Sequence, residues 1–164
     1  MKNLLEGKIA VVTGGNGGIG LGISEGLAEQ GATVVIAARN EKKNSLALEN
    51  LKKINPNNDS TVLDVNDNNS IVKTVDYVKE KFGSIDILVN NAGINRRSDE
   101  PHLLSKTDWN DVVDTNLNSI HHITSKVFPH MKETGSGKII NIGSMMSIFG
   151  TGYASAYAAS KGGV

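Results

Sequence analysis

Lys8-Ile9-Ala10-Val11-Val12-Thr13 runs straight into Gly14-Gly15-Asn16-Gly17-Gly18-Ile19-Gly20, and the reading of this stretch decides the fold. A short apolar run rich in β-branched residues and stopped by glycine is the pattern of a buried strand. Beyond the glycines, Ile23 and Leu27 stand four apart, and Gly31 closes the segment as a helix stop. Residues 33–38 (TVVIAA) are a second apolar run. Strand, glycine turn, helix and strand within about thirty residues make a βαβ unit, with the right-handed crossover that parallel strands adopt.

The alternation continues along the chain. Residues 41–54 read as a second helix with Ala47, Leu51 and Ile54 on one stripe, broken by Asn55-Pro56-Asn57-Asn58. Residues 60–63 are a short third strand. Residues 66–70 offer N-cap side chains to a helix carrying Ile71, Val75, Val78 and Phe82 on one stripe, with Gly83 as its stop. Residues 85–89 are a fourth strand, ending in Asn90-Asn91-Ala92-Gly93. After a polar loop, Ser105 and Asp108 have the spacing of a capping box with Asp in place of Glu. The helix they open carries Trp109, Val113, Asn116, Ile120 and Ile123 on one stripe; it is expected to run out near Pro129, with Trp109 and Phe128 in the core. Residues 138–142 (KIINI) are a fifth strand, before Gly143-Ser144, and a last helix is expected to begin between Tyr153 and Tyr157. This pattern predicts an α/β fold, a doubly wound parallel sheet of Rossmann type with helices on both faces, as one domain over residues 1–164. In such sheets ligands bind at the carboxyl ends of the strands. Here those ends carry the glycine turn, Arg39, Asp64, Asn90-Asn91-Ala92-Gly93 and Gly143-Ser144, so the unusual residues share one edge.

Two registers of the glycine turn compete: Gly15, Gly17 and Gly20 spell G-x-G-x-x-G, while Thr13-Gly14, Gly18 and Gly20 spell T-G-x-x-x-G-x-G. Either serves a dinucleotide for the same reason: no Cβ stands where backbone meets pyrophosphate, and a helix N-terminus faces the anion. A bare turn without ligand is the alternative, and the βαβ context argues against it. The fingerprint pairs an acid about 20 residues on with the ribose 2′-hydroxyl of NAD. Ala37-Ala38-Arg39-Asn40 stands there without an acid, and the fork of Arg39 suits a 2′-phosphate, so NADP is the expected cofactor and NAD the alternative. Asp64 is placed either to accept from an adenine amino group or to cap the next helix.

Tyr157-Ala158-Ala159-Ser160-Lys161 sets a phenol and an ammonium on one helix face. The positive charge favours the phenolate, so that a Tyr exchanges protons nearer neutral pH than its reference of about 10; that suits a general acid/base. Such a pair is common on surface helices, and its weight comes from the strands upstream. Asn116 is an amide in an otherwise apolar stripe and must find a partner if buried. Arg96 and Arg97 lie in the loop after the fourth strand, to clamp a carboxylate or to stand solvated. Met145 and Met146 suit a substrate pocket or the core. His121 and His122 are adjacent, so a helix sends them apart; no metal-ligand spacing occurs, and both are expected at the surface.

The 164 residues balance 17 basic against 17 acidic side chains, which argues against a nucleic-acid partner. There is no Cys, hence no disulfide and no thiolate metal site, in keeping with a reducing, cytoplasmic setting. No apolar run approaches the roughly 18 residues of a membrane span. Residues 1–7 (MKNLLEG) hold no apolar leader core, so no signal peptide is expected.

Thr13-Gly14-x-x-x-Gly18-Ile19-Gly20, Asp64-Val65, Asn90-Asn91-Ala92-Gly93, Asn116, Ser144 and Tyr157-x-x-x-Lys161 fall in this order, with Ser144 thirteen residues before Tyr157. Together they resemble the short-chain dehydrogenase/reductase family over essentially the whole chain. The resemblance implies an oxidoreductase that moves a hydride between nicotinamide and a carbonyl or carbinol carbon of a small molecule, without a metal. It implies that Tyr157 exchanges the proton, that Lys161 assists it and holds the nicotinamide ribose, that Ser144 orients the substrate oxygen, and that Asn116 holds a relay water. It sets Gly14, Asn16, Gly18, Ile19, Gly20, Arg39, Asp64, Val65, Asn91, Ala92 and Gly93 against the cofactor, together with Tyr157 and Lys161. Ser147, Ser155 and Ser160 are rival hydroxyls, and Tyr153 is a rival phenol.

Residues 3–8 (NLLEGK) and 91–97 (NAGINRR) look most like the gluconate and 2-deoxygluconate dehydrogenases, whereas residues 138–142 are common to the 3-oxoacyl-carrier-protein reductases as well. A sugar-acid or polyol substrate is therefore expected, with an oxoacyl-carrier reductase as the alternative. Relatives run on for about 80–100 residues, toward the 200–250 common for such domains. They pair through their long fourth and fifth helices into dimers or tetramers. The chain is accordingly expected to be part of a longer enzyme whose C-terminal strands and helices are missing here, leaving the fifth strand as a sheet edge. An inactive nucleotide-binding module is the reading from a different class.

Overall fold

The apolar runs become five parallel strands: β1 (Ile9–Thr13), β2 (Thr33–Ala38), β3 (Asp59–Val62), β4 (Ile87–Asn90) and β5 (Lys138–Asn141). The structure, a computed structural model, describes residues 3–164; Met1 and Lys2 of the leader expectation lie outside the described residues. The strand order is β3-β2-β1-β4-β5, so the chain reverses its direction of travel between β1 and β4. Helices α1 (Gly18–Glu29), α2 (Glu41–Ile54) and α3 (Asn68–Phe82) join the first four strands. Beyond β4 come α4 (Lys106–Val113), α5 (Ser119–Glu133), α6 (Met146–Phe149) and α7 (Ser155–Gly163). Among the described residues no helix is long and apolar enough to cross a membrane.

Alternation along the strands divides the core in two. Val11, Val35 and Leu88 pack with Ile71, Val75 and Val78 of α3 and with Ile123 and Val127 of α5. Val12, Val34, Ile36 and Val89 point to the other face, where Ala28 of α1 and Ala47 and Leu51 of α2 cover them. Each such Val, Leu or Ile side chain, fully buried, contributes about 1.5–3 kcal/mol relative to exposure. Side-chain caps fix the starts of α2, α3 and α4: Asn40 accepts from the Lys43 N–H (3.0 Å), Asp67 from Asn69 (2.9 Å) and Ser105 from Asp108 (3.0 Å). Gly83 ends α3 in the left-handed conformation, φ +83°. The cap of α3 is thus Asp67 and not Asp64.

The stretch expected as one helix after Ser105 is helical throughout, but between α4 and α5 it opens into a π turn, Asp114–Asn118, where the Ser119 N–H reaches back to the Asp114 carbonyl. The wider turn buries two consecutive residues, Thr115 and Asn116, and rephases the buried face of α5 onto Ser119, Ile123, Val127 and Met131. Two core expectations fail on this helix. Phe128 lands beside the buried row and is 53% exposed; Trp109 lies on α4, which packs on α7 rather than onto the sheet, and is 40% exposed. The helix also outruns Pro129 and ends at Glu133, because the carbonyl that Pro129 leaves without a donor belongs to exposed Ser125. Ile54, at the last position of α2, is likewise exposed. The brief helix α6 carries no sequence signal.

Candidate active site

Thr13 closes β1 and joins it to β4. Its hydroxyl donates to the Val89 carbonyl (3.3 Å) and accepts from the N–H groups of Asn91 and Ala92 (both 3.0 Å). Asn91 answers with its own amide on the Thr13 carbonyl (2.9 Å). The turn after β1 selects between the two glycine registers. Gly14 and Gly18 have φ of +65° and +52°, and a Cβ on Gly20 would collide with the Gly14 carbonyl and the Asn91 amide. Gly17 is extended, with nothing within 4 Å of a Cβ. Gly15 is crowded as well, its Cβ position lying within 3.0 Å of Ile36, Ser24 and the Val12 carbonyl, but the glycines of the turn with positive φ belong to T-G-x-x-x-G-x-G. Helix α1 starts with no side chain capping it and no acid in its first turn, which leaves an amide-rich end for an anion.

A first pocket opens beside this turn at the carboxyl ends of β1, β2 and β3. Gly14, Asn16, Arg39, Asp64, Val65, Ala92 and Gly93 line it, as do two residues that the sequence did not single out, Lys43 and Thr115. Arg39 is exposed and enters no ion pair among the described residues. Lys43 reaches the same pocket because the Asn40 cap starts α2 there. Asp64 is held in the wall: its carboxylate accepts from the Asn66 N–H and its own N–H donates to the Ser70 hydroxyl, both at 3.0 Å. Asn66 in turn donates to the Thr115 hydroxyl (2.9 Å), so the π turn forms part of this pocket.

The second pocket lies at the ends of β4 and β5 and shares Gly93 and Ile94 with the first. Ile19, Asn91, Ser144, Tyr157 and Lys161 line it, with Arg97, Met146 and Tyr153. Of the candidate hydroxyls, Ser144 faces it, while that of Ser147 turns back on the loop and accepts from the Ser144 N–H (3.2 Å). Lys161 is buried, its Nζ donates to the Ile142 carbonyl (2.6 Å), and it sits 5.9 Å from the Tyr157 ring centroid. Burial lowers its pKa below that of an ordinary lysine. The two loop arginines part company: Arg96 pairs with Asp108 (3.3 Å), whereas Arg97 lies over the Tyr153 ring (5.5 Å) at the pocket. Met145 is exposed, and Met146 faces the pocket, so neither is core. His121 and His122 are exposed.

Asn116 is fully buried. Its oxygen accepts from the Ile94 N–H (2.8 Å), and its amide donates to the Ile94 carbonyl (2.9 Å) and to the Ser160 hydroxyl (3.1 Å). Ser160 passes the contact on to the Tyr157 carbonyl (2.8 Å). The amide in the apolar stripe therefore links the loop after β4 to the helix of Tyr157 and Lys161. Ser160 is accordingly a buried link and not a rival to Ser144 for the substrate oxygen.

A twisted parallel sheet with a glycine turn at its switch point and two adjoining pockets along one edge is the frame of a dinucleotide-binding α/β domain. The short chain dehydrogenase family model matches residues 8–164, and the chain belongs to that family. It is 42% identical to the 3-oxoacyl-(acyl-carrier-protein) reductase FabG of Vibrio harveyi, over 98% of this chain and 64% of the relative. It is 38% identical to the gluconate 5-dehydrogenase of Gluconobacter oxydans, over 98% of this chain and 62% of the relative. Among solved structures, a variant of the actinorhodin polyketide ketoreductase with NADPH superposes with a TM-score of 0.92 at 35% identity, covering 99% of this chain and 62% of the other. The chain thus spans less than two thirds of the length of these relatives.

Proposed function

We propose that residues 3–164 form the nucleotide-binding and catalytic part of an NADP(H)-dependent oxidoreductase that interconverts a secondary alcohol and a carbonyl on a sugar acid or polyol. The observation that carries this reading is the convergence of Ser144, Tyr157 and Lys161 on one pocket that meets the glycine-turn pocket at Gly93. The nucleotide fits the first pocket by the residues present: an uncapped helix end at an unobstructed turn for the pyrophosphate, and Arg39 with Lys43 for a 2′-phosphate. NAD remains the second choice. When bound, the nicotinamide supplies or receives the hydride. Tyr157 gives the proton to the substrate oxygen or takes it back, Lys161 supplies the positive charge beside it, and Ser144 orients that oxygen by a hydrogen bond. Asn116 holds the Tyr157 helix in place through Ser160 and anchors the relay to Lys161.

Arg97 favours a carboxylate-bearing substrate, since it faces this pocket without an acid partner among the described residues. The second reading, reduction of an oxoacyl carrier thioester, draws support from the reductase of Vibrio harveyi and from exposed Met145, Ile148 and Phe149, which flank the pocket residue Met146 in the chain. Oxidation of gluconate-like acids against reduction of short oxoacyl thioesters, each with NADPH/NADP and NADH/NAD, separates the two. Tyr157→Phe lowers turnover on the order of 10³-fold, the scale of lost general acid/base catalysis, while NADPH binding stays within about twofold. Unchanged turnover sinks the catalytic role, and no turnover by the unaltered protein on either class supports a nucleotide-binding module.

A further inference from the structure

Asn44 lies on the buried face of α2, in line with Ala47 and Leu51, and is 2% exposed. Its amide is fully used: it donates to the Ala38 carbonyl (2.8 Å) and the Thr61 carbonyl (3.0 Å), and its oxygen accepts from the Asn16 amide (2.7 Å). These partners belong to the end of β2, to β3 and to the glycine turn. An apolar residue at this position would continue the stripe without desolvating a polar group. What only an amide accomplishes is to stitch the two strand ends together and still reach the turn.

The turn has one handle. Residues 14–18 are Gly14, Gly15, Asn16, Gly17 and Gly18, so Asn16 is the one side chain in the segment. Four glycines leave a backbone with wide conformational freedom, and a flexible cradle has to be ordered when an anion binds. Asn16 lines the first pocket, as does Ala38, the neighbour of Arg39.

We propose that Asn44 is a positioning residue for the nucleotide: through Asn16 it holds the glycine turn in its anion-accepting shape, in register with the Arg39 end of β2. The proposal rests on the reading of the first pocket as an NADP(H) site. Asn44 does not touch the ligand; it acts by ordering the turn beforehand.

The test is a double-mutant cycle on NADPH affinity, read by titration calorimetry, with thermal midpoints of the nucleotide-free proteins alongside. Asn16→Ala and Asn44→Leu each weaken NADPH binding roughly tenfold, the scale of one lost hydrogen bond and its ordering. The double variant is no weaker than the weaker single, because both cut the same link. Asn16→Ala leaves the thermal midpoint unchanged. Wild-type affinity in Asn44→Leu overturns the proposal, as do losses that multiply in the double variant. Should Asn44→Leu fail to fold, Asn44→Ser, which keeps a hydroxyl for the Ala38 carbonyl, replaces it in the cycle. NADPH binding by the wild type with unaffected variants refutes Asn44 alone; no NADPH binding by the wild type refutes the pocket reading and the proposal with it.

Discussion

β1 and β5 are short apolar runs of similar appearance, yet they live in different surroundings. All five residues of β1 are buried, between β2 on one side and β4 on the other. Among the described residues β5 pairs with β4 alone, and Ile140 in its middle is 44% exposed. The pockets at their ends differ in the same way. The glycine-turn pocket is lined in part by buried Ala37, Ala38 and Leu63, whereas the pocket after β5 is lined in part by half-buried Ser144 and Met146 and by exposed Tyr153. The helix of Tyr157 and Lys161 is fixed from beneath, by buried Asn116 and Ser160. The glycine-turn pocket is thus shaped by packing, and the pocket after β5 by a few polar links.

The sharpest way to break this contrast is to empty each side. Leu88→Ala, in the fully buried β4 next to β1, should cost about 3 kcal/mol in urea unfolding, in the range for large-to-small core changes; a cost under about 1 kcal/mol would mean that the centre of the sheet is no better packed than its edge. Arg39→Ala should weaken NADPH binding about thirtyfold, roughly 2 kcal/mol, and leave NADH within about twofold; equal losses for both would move the 2′-phosphate contact elsewhere.

Asp86 anchors the opposite end of the sheet, accepting from the Ile9 N–H (2.9 Å) and Lys8 (3.1 Å). Burial alone would raise its pKa, but the Ile9 N–H, Lys8 and the Ser84 hydroxyl outweigh it and hold the carboxyl below its ordinary value. A depressed pKa stabilises the fold above the unfolded value near 4, and that stabilisation is lost as pH falls through the folded value. Asp86→Asn should therefore cost roughly 1 kcal/mol at pH 7, most of it because a neutral amide oxygen accepts more weakly than a carboxylate from the Ile9 N–H, since half-exposed Lys8 is screened. The difference from wild type should shrink steadily as the carboxyl is protonated in acid; a pH-independent difference would assign the cost to packing. The smallest effect belongs to β5: in the 164-residue chain, Ile140→Ser should change stability by under about 0.5 kcal/mol, and a larger loss would show that β5 carries core weight within these residues.

The strands, their order of appearance and the helices flanking them were legible because two periodicities and the glycine, Asn and Asp punctuation all agree. Thr33–Ala38 and Glu41–Ile54 stand where the pattern predicts. The residues at the strand ends were legible for the same reason, since a parallel sheet brings them to one edge. The hidden part depends on partners distant in sequence. Asn44 interrupts an apolar stripe just as Asn116 does, but its meaning needs Asn16, Ala38 and Thr61 beside it. Trp109 escapes a reading by stripe because its helix packs on α7, and Phe128 because it stands one residue past buried Val127.

That turn makes the helix from Lys106 to Glu133 behave like a shaft with two gear faces. One face is phased to mesh with α7 and the other with the sheet, and the wide turn is the offset between them. Each residue of an α-helix accounts for about 100° of rotation. Removing a single residue between Asp114 and Asn118 would therefore leave a longer, more regular helix whose two halves can no longer engage both neighbours at once. In this region a one-residue deletion is a rotation of one half of the helix against the other, not a local trim.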